Sequence, residues 1–564
     1  MPPLNAGTRS DYLDRMAAEV FDVLVIGGGI TGLGVALDAS ARGYSVALVE
    51  KGDFGGSTSS KSTKLVHGGI RYLPQFDFAL VREALVERGT LLRNAPFLVQ
   101  PLAFVLPLYE DAKKPLGVPL TPPGGVGLGL MITAGLFLYD TLAGGRGFAR
   151  HRRISVEQAL TLAPTLRGEG LKEAFVYYDG QTNDTRLVVA ALRTATRFGA
   201  AISNYAEVTG FEKRDGKLTA AHVRDSIGER AITVRARHIV NAAGIFAERV
   251  AMLTGDESKV SLEPSKGVHL VVARDRIGIG DTGVVLPETD DGRILFVLPW
   301  EDRALIGTTD TGSGDLDHPE ATPEDIDYLI LHVNRYLNVN LTRDDLIGVY
   351  AGFRPLVRSR EKPSANLSRT HVVLQETNGM VTIVGGKLTT YRRMAQDTVD
   401  VLAQRDAMPL AHPTEKLPLS GAVNWKQARR ELARRCAELR LDAKIETSLA
   451  FNYGSHALEI LDLVTAQPEL GKRLIADLPF ICAEVIYACR DEMAMRLDDA
   501  LARRMRIELE DRDRGAGVVE QVAGLMAGEL GWSPATVSAE IEQYTRAVRR
   551  SLVDEGLTPQ IAGQ

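Results

Sequence analysis

The chain has only three cysteines, Cys436, Cys482 and Cys489, all in its last quarter and none with the spacing of a metal site. Three thiols cannot staple a chain of 564 residues, so the reading is a reducing compartment with neither cysteine chemistry nor a metal centre. A surplus of basic charge is also missing, since 66 Lys and Arg stand against 72 Asp and Glu for a formal net charge of −6. That balance argues against nucleic acid as a partner. The first twenty residues lack the apolar core of a secretion signal and carry Arg9, Asp11, Asp14, Arg15 and Glu19 instead, so a cytoplasmic location is expected. There is no internal repeat and no low-complexity tract.

Long uncharged runs are scarce, and the run from Pro115 to Tyr139 stands out. Pro119, Pro122, Pro123 and several glycines interrupt it and leave Val126–Tyr139 for continuous helix, short of the ~20 residues that a spanning helix needs. On these residues alone the choice lies between buried core and interfacial contact, with core preferred.

What is present is an ordinary globular composition, 45% apolar and 24% charged, in a chain long enough for two or three domains. Phe21–Ile26 reads as a buried strand, Gly27–Gly32 as a turn, Leu33–Arg42 as a helix and Tyr44–Glu50 as a second strand, which together make one βαβ unit. The turn fits GxGxxG: Gly27 permits the tight bend, Gly29 lets backbone amides approach a pyrophosphate, and Gly32 lets helix and strand pack closely. Glu50, ending the second strand, can accept hydrogen bonds from ribose hydroxyls and would repel a 2′-phosphate, so FAD or NAD fits and NADP does not.

Further strands are predicted at His238–Val240 before Asn241-Ala-Ala-Gly244, at His269–Ala273, Ile294–Leu298 and Ala304–Ile306, and at Val381–Val384 before Gly385-Gly386. The nucleotide-binding domain is therefore expected to be discontinuous. Beyond the proline-bearing stretch Met408–Ser420, helical patterns such as Ala483–Leu509 take over, and a separate helical domain is expected from about 415.

The string Ser57-Thr-Ser-Ser-Lys-Ser-Thr-Lys-Leu-Val-His-Gly-Gly-Ile-Arg-Tyr-Leu73 resembles the signature of the FAD-dependent glycerol-3-phosphate dehydrogenases. The likeness continues through Tyr177-Tyr-Asp-Gly180, Asp184-Thr-Arg-Leu187, Lys266-Gly-Val-His269, Gly307-Thr-Thr-Asp310, Gly352-Phe-Arg-Pro-Leu356, Gly385-Gly-Lys-Leu-Thr-Thr-Tyr-Arg392 and the helical Ala502-Arg-Arg504. Asn183 departs from it, standing where the family often has an acid, and Lys114–Gly125 follows no family pattern.

The resemblance implies an α/β fold. A glutathione-reductase-type FAD-binding, Rossmann-like domain (1–75, 155–260 and 350–405) would be joined to a β-rich substrate-binding domain (76–154 and 261–349) and an all-helical C-terminal domain (415–564). It implies FAD as cofactor, with Ser59, Ser60, Thr63, Lys64 and Gly386 along it, His67 bordering the flavin ring, and Asn241–Gly244 as a second nucleotide-contacting turn. It also implies oxidation of glycerol 3-phosphate. Arginine's planar fork suits a phosphate, which points to Arg71 and Arg354. A neutral imidazole suits the alcohol proton, which makes His269 the leading base. Lys387 would stabilise negative charge on the reduced flavin, Arg354 would stabilise charge on the reacting oxygen, and Tyr72 and Thr308 would bond the glycerol part. The expected acceptor is a membrane quinone, reached by peripheral attachment through Pro96–Leu108 and Val126–Tyr139, and a homodimer is an open expectation. The alternatives are an oxidase that delivers electrons to oxygen, a nicotinamide-linked enzyme, and a flavin-bearing protein without turnover.

Overall fold

The apolar run at Phe21–Ile26 forms the centre of a parallel sheet in the computed structural model, which describes residues 3–110, 116, 127–312, 314–358 and 370–557. Strand Val20–Ile26 pairs in parallel with Val46–Val49 on one side and with Arg230–Asn241 on the other. The order continues outward to Ala201–Ser203 at one edge and through Val381–Val384 to Val372–Gln375 at the other. A sheet of this kind must be covered on both faces. Helices Ile30–Ala41, Asp184–Arg197 and Tyr391–Arg405 cover one face, and helix Ala6–Ala18 packs with the hairpin of Ala206–Arg214 and Lys217–Asp225 against the other. Asp22, the one charge in the first strand, is satisfied by the backbone N–H and hydroxyl of Ser45 at 2.9 and 2.8 Å.

A second, mostly antiparallel sheet runs in the order Leu346–Arg354, Ser265–Ala273, Arg303–Gly307, Leu295–Trp300, Gly283–Leu286, Gln100–Tyr109, Leu171–Gln181 and Leu65–Val66. The sheets divide the chain at points other than 155 and 350. Leu171–Gln181 pairs with Gln100–Tyr109, and Leu346–Arg354 pairs with Ser265–Ala273, so both belong to the second sheet. Periodicity identifies a strand but does not say which of two buried sheets receives it. The α/β unit, the β-rich unit and the helical C-terminal region expected from the sequence are all observed.

The helical region has its own core, built around Leu432, Leu449, Ile460, Val485 and Val522. Ala483–Leu509 is not one helix: Cys482–Asp491 ends before Met493, whose φ is positive, and a wide turn at Asp499–Arg504 precedes the short helix Ile507–Glu510. The Met493 N–H leaves the ladder for the Leu4 carbonyl at 2.6 Å, and Asp499 accepts the backbone N–H groups of Met495 and Arg496 at 2.7 and 3.0 Å. Those amides are thereby drawn off any helical ladder.

The two apolar segments proposed for a membrane surface behave differently. Phe97, Leu98, Val99, Leu102, Phe104, Val105 and Leu106 are all buried, so Pro96–Leu108 is core, and its hydrophobicity is explained by the second sheet. Val126–Tyr139 reads differently. Val126 and most of Lys114–Gly125 lie outside the described residues, but helix Leu128–Ala143 runs further than expected and buries only Leu136, Tyr139 and Ala143. Leu130 and Phe137 are 64% and 66% exposed, so the preference for buried core is overturned.

Candidate cofactor cavity and active site

The glycines of the turn are required by contact as well as by conformation. Gly27 has φ +113°, and a Cβ there would lie 2.6 Å from the Ala242 carbonyl oxygen. A Cβ at Gly32 would lie 1.9 Å from the Gly27 carbonyl, so strand and helix can meet only with glycine at this position. Helix Ile30–Ala41 starts here, and the hydroxyl of Ser59 accepts its first N–H at 3.0 Å. The Glu50 carboxylate accepts N–H groups from Gly28 at 2.6 Å and Gly52 at 2.8 Å. Burial pushes its pKa up, and these two amides offset the rise only in part.

Above the turn lies a cavity of about 1250 Å³. Gly27, Gly29, Glu50, Ser59, Thr63, His67, Ala242–Gly244, His269, Arg354, Gly386 and Lys387 all line it. That volume exceeds what a drug-sized ligand needs and leaves room for an extended dinucleotide with a small substrate beside it. The cradle formed by the side-chain-free glycines, with a carboxylate at the end of the second strand, fits FAD.

His269 sits mid-strand in Ser265–Ala273 and is buried. Its Nε2 lies 2.9 Å from the Thr63 hydroxyl, and its ring stacks on Tyr350 at 4.8 Å. Burial first, then the charges of Arg354 and Lys64, hold its pKa well below the usual histidine value, so the imidazole is neutral at working pH. Its buried Nδ1 has no hydrogen-bond partner among the described residues.

Arg354 ends the neighbouring strand, in register with Ser265. It donates to the Thr308 hydroxyl at 3.0 Å and the Thr309 carbonyl at 3.1 Å, and lies 3.4 Å from the Asp310 carboxylate. Gly267 makes the space for it, since a Cβ there would stand 2.5 Å from the guanidinium. The Lys387 ammonium lies 4.2 Å from the centre of the Tyr72 ring, whose hydroxyl accepts from Arg71 at 2.8 Å.

The candidates thus fall into two layers. Arg71, Tyr72 and Thr308 do not line the cavity: Tyr72 backs Lys387 and Thr308 backs Arg354, both of which do, and Arg71 stands behind Tyr72. Gly32 acts through packing. Ser60 and Lys64 depart from the reading that set them along the cofactor. Both are buried away from the cavity, and the Lys64 ammonium pairs with Asp184 at 2.7 Å and donates to the Ser60 carbonyl. Its side chain anchors the loop, because a buried ammonium needs a carboxylate more than the cavity needs a cation. Residues not foreseen also line the cavity: Tyr205–Thr209, Phe246, Arg249 and Asp317, and from the helical region Arg496, Asp498, Arg503 and Gln543. Four come from a region that carries no cofactor motif.

Two family models match the chain, FAD dependent oxidoreductase over residues 22–392 and the C-terminal domain of alpha-glycerophosphate oxidase over 412–537. Glycerol-3-phosphate dehydrogenase 2 of Mycobacterium tuberculosis is 38% identical over 98% of this chain and 92% of its own. The mitochondrial glycerol-3-phosphate dehydrogenase of Mus musculus is 36% identical over 93% and 73%. Among solved structures, the glycerol-3-phosphate dehydrogenase of Bacillus halodurans complexed with FAD superposes with a TM-score of 0.80 at 28% identity, covering 100% of both chains. The FAD-bound L-alpha-glycerophosphate oxidase of Mycoplasma pneumoniae shares the fold at a TM-score of 0.52 and 19% identity, over 68% of this chain and 95% of its own. With the cavity, its glycine turn and this likeness along the whole length, the chain belongs to the FAD-dependent glycerol-3-phosphate dehydrogenase family of oxidoreductases.

Proposed function

We propose that the protein oxidises sn-glycerol 3-phosphate to dihydroxyacetone phosphate and passes the two electrons to a membrane quinone. The observation that carries this reading is that His269, Arg354 and Lys387 line the same cavity as the glycine turn and Glu50. FAD, when bound, supplies the hydride acceptor. Arg354 binds the substrate and stabilises charge on the oxygen that loses its proton, and neutral His269 takes that proton. Lys387 would lend its positive charge to stabilise the reduced cofactor. Behind Lys387, Tyr72 and Arg71 hold its ammonium in place.

In the test, purified protein is mixed anaerobically with sn-glycerol 3-phosphate and the visible flavin band is followed, with a quinone analogue or oxygen then added. Bleaching reversed faster by the quinone is expected. Reversal chiefly by oxygen with peroxide release would make the protein an oxidase, and no bleaching would overturn the substrate.

A quinone acceptor requires access to lipid, and exposed helix Leu128–Ala143 supports peripheral attachment on the cytoplasmic face. Together with the turn that follows it, this segment reaches Arg146, and an 18-residue stretch of it has a mean hydropathy of 1.3. Phe76 and Phe78, beside the turn Ile70–Gln75 that packs on the helix, are exposed as well. The outward face so formed is apolar and suits a lipid interface. Burying one leucine or phenylalanine contributes about 1.5–3 kcal/mol. The double substitution Leu130→Ser and Phe137→Ser should therefore weaken co-sedimentation with anionic phospholipid vesicles by about a hundredfold and leave flavin content unchanged. Undiminished vesicle binding would exclude this helix as the attachment.

A further inference from the structure

One buried carboxylate joins the helical region to the loop beside Glu50. Asp53 lies three residues beyond Glu50, in the loop whose Gly55 N–H is accepted by the Gly28 carbonyl at 3.0 Å. Its side chain is fully buried. Arg504 grips it with two parallel bonds of 2.7 and 2.9 Å, and Arg503 donates a third at 2.5 Å. Burial alone would raise the Asp53 pKa, but Arg504 and Arg503 outweigh it and hold the carboxyl down at about 2.

Arg503 also bonds Asp498 and Asp499 at 2.7 and 2.6 Å, and Asp499 accepts from the Tyr205 hydroxyl at 2.5 Å. Tyr205 and Ala206 in turn donate their N–H groups to the carbonyls of Gly52 and Glu50, at 2.9 and 2.7 Å. Arg496 lies 5.1 Å over the Tyr205 ring and bonds Gln543 at 3.3 Å. A segment of the helical region is thus tied on two sides to the loop that carries Glu50. Arg496, Asp498, Arg503 and Gln543 then complete the cavity wall.

We propose that Arg503 and Arg504 are positioning residues for the cofactor: through Asp53 they hold the Glu50–Gly56 loop in its FAD-binding form, so that FAD binding and docking of the helical region form one coupled equilibrium. An ordinary contact between domains would steady apoprotein and holoprotein alike. A coupling between two sites changes the affinity at each by the same factor, commonly about 5–150-fold. The same coupling requires FAD to tighten the docking.

The test uses the full chain. Apoprotein is titrated with FAD by quenching of flavin fluorescence, for the wild type, Arg503→Met, Arg503→Lys and Asp53→Asn, with Arg546→Ala as a surface control on the last helix. The Kd for FAD should rise about tenfold or more in Arg503→Met and Asp53→Asn, recover in part in Arg503→Lys, and stay at the wild-type value in Arg546→Ala. Amide exchange of residues 493–504 in the wild type provides a second readout that needs no variant to fold. It should slow about tenfold on FAD addition. Unchanged exchange, or a Kd within twofold of the wild type in folded Arg503→Met, would overturn the proposal and leave these ion pairs as scaffolding.

Discussion

Gly27→Val protein should purify colourless, with the visible flavin band reduced at least a hundredfold relative to the protein absorbance. Two costs combine. The backbone at φ +113° is one that residues with a Cβ rarely adopt. The added Cβ would also meet the Ala242 carbonyl at 2.6 Å, and that oxygen belongs to the second turn of the same cavity. Neither atom is the end of a flexible side chain, so relief must come from moving one turn off the other, and that opens the cradle. Gly528→Ala is the control, because a Cβ there meets nothing within 4 Å and glycine in a helix costs roughly 0.5–1 kcal/mol relative to alanine. It should keep its flavin and gain slightly in stability. A Gly27→Val protein that holds FAD at wild-type affinity would show that the turn does not cradle the cofactor.

Arg354→Met should keep its flavin spectrum and lose about a hundredfold or more in kcat/KM for glycerol 3-phosphate, measured as the rate of anaerobic flavin reduction. Charge-assisted hydrogen bonds contribute about 1.5–3 kcal/mol each, and a guanidinium can offer two to one anion. Thr308, Thr309 and Asp310, among the neighbours that hold Arg354, fix where its fork points, so the methionine variant loses direction as well as charge. Arg354→Lys should recover part of the loss, since an ammonium restores charge but not the paired geometry. Wild-type kinetics in Arg354→Met would remove Arg354 from the reaction and leave His269 and Lys387 to carry it.

The sequence reveals the parts of this molecule whose chemistry is local. Gly27–Gly32 with Glu50 is legible because turn, approach and carboxylate lie within one βαβ unit, and the structure sets each where its spacing requires. Lys64 is misread because its partner, Asp184, is 120 positions away, and no local pattern distinguishes an ammonium facing a cavity from one paired in the core. Gln543 is invisible for the same reason, and Arg503, though inside Ala502-Arg-Arg504, carries no local sign of facing the cavity: both reach it by docking of a region whose own pattern is that of amphipathic helices. Pro96–Leu108 and Leu128–Ala143 are equally apolar on paper. One is a strand covered on both faces and the other a helix covered on one, a difference made entirely by tertiary placement.

The order in which the first sheet is strung along the chain also bears on how the protein is made. Val20–Ile26, the central strand, pairs with Arg235–Asn241, and Val240 and Asn241 pair in turn with Val381 and Thr382. Ribosomes add roughly 5–20 residues per second, so about 10–40 s pass before the first strand's distant neighbour exists, and roughly 20–90 s before Arg504 can reach Asp53. Until then the strand has one short partner and an open edge, the state in which nascent sheets misassociate most readily. A ribosome stalled anywhere before the helical region accordingly yields a polypeptide with the dinucleotide fingerprint and an incomplete place to put the dinucleotide.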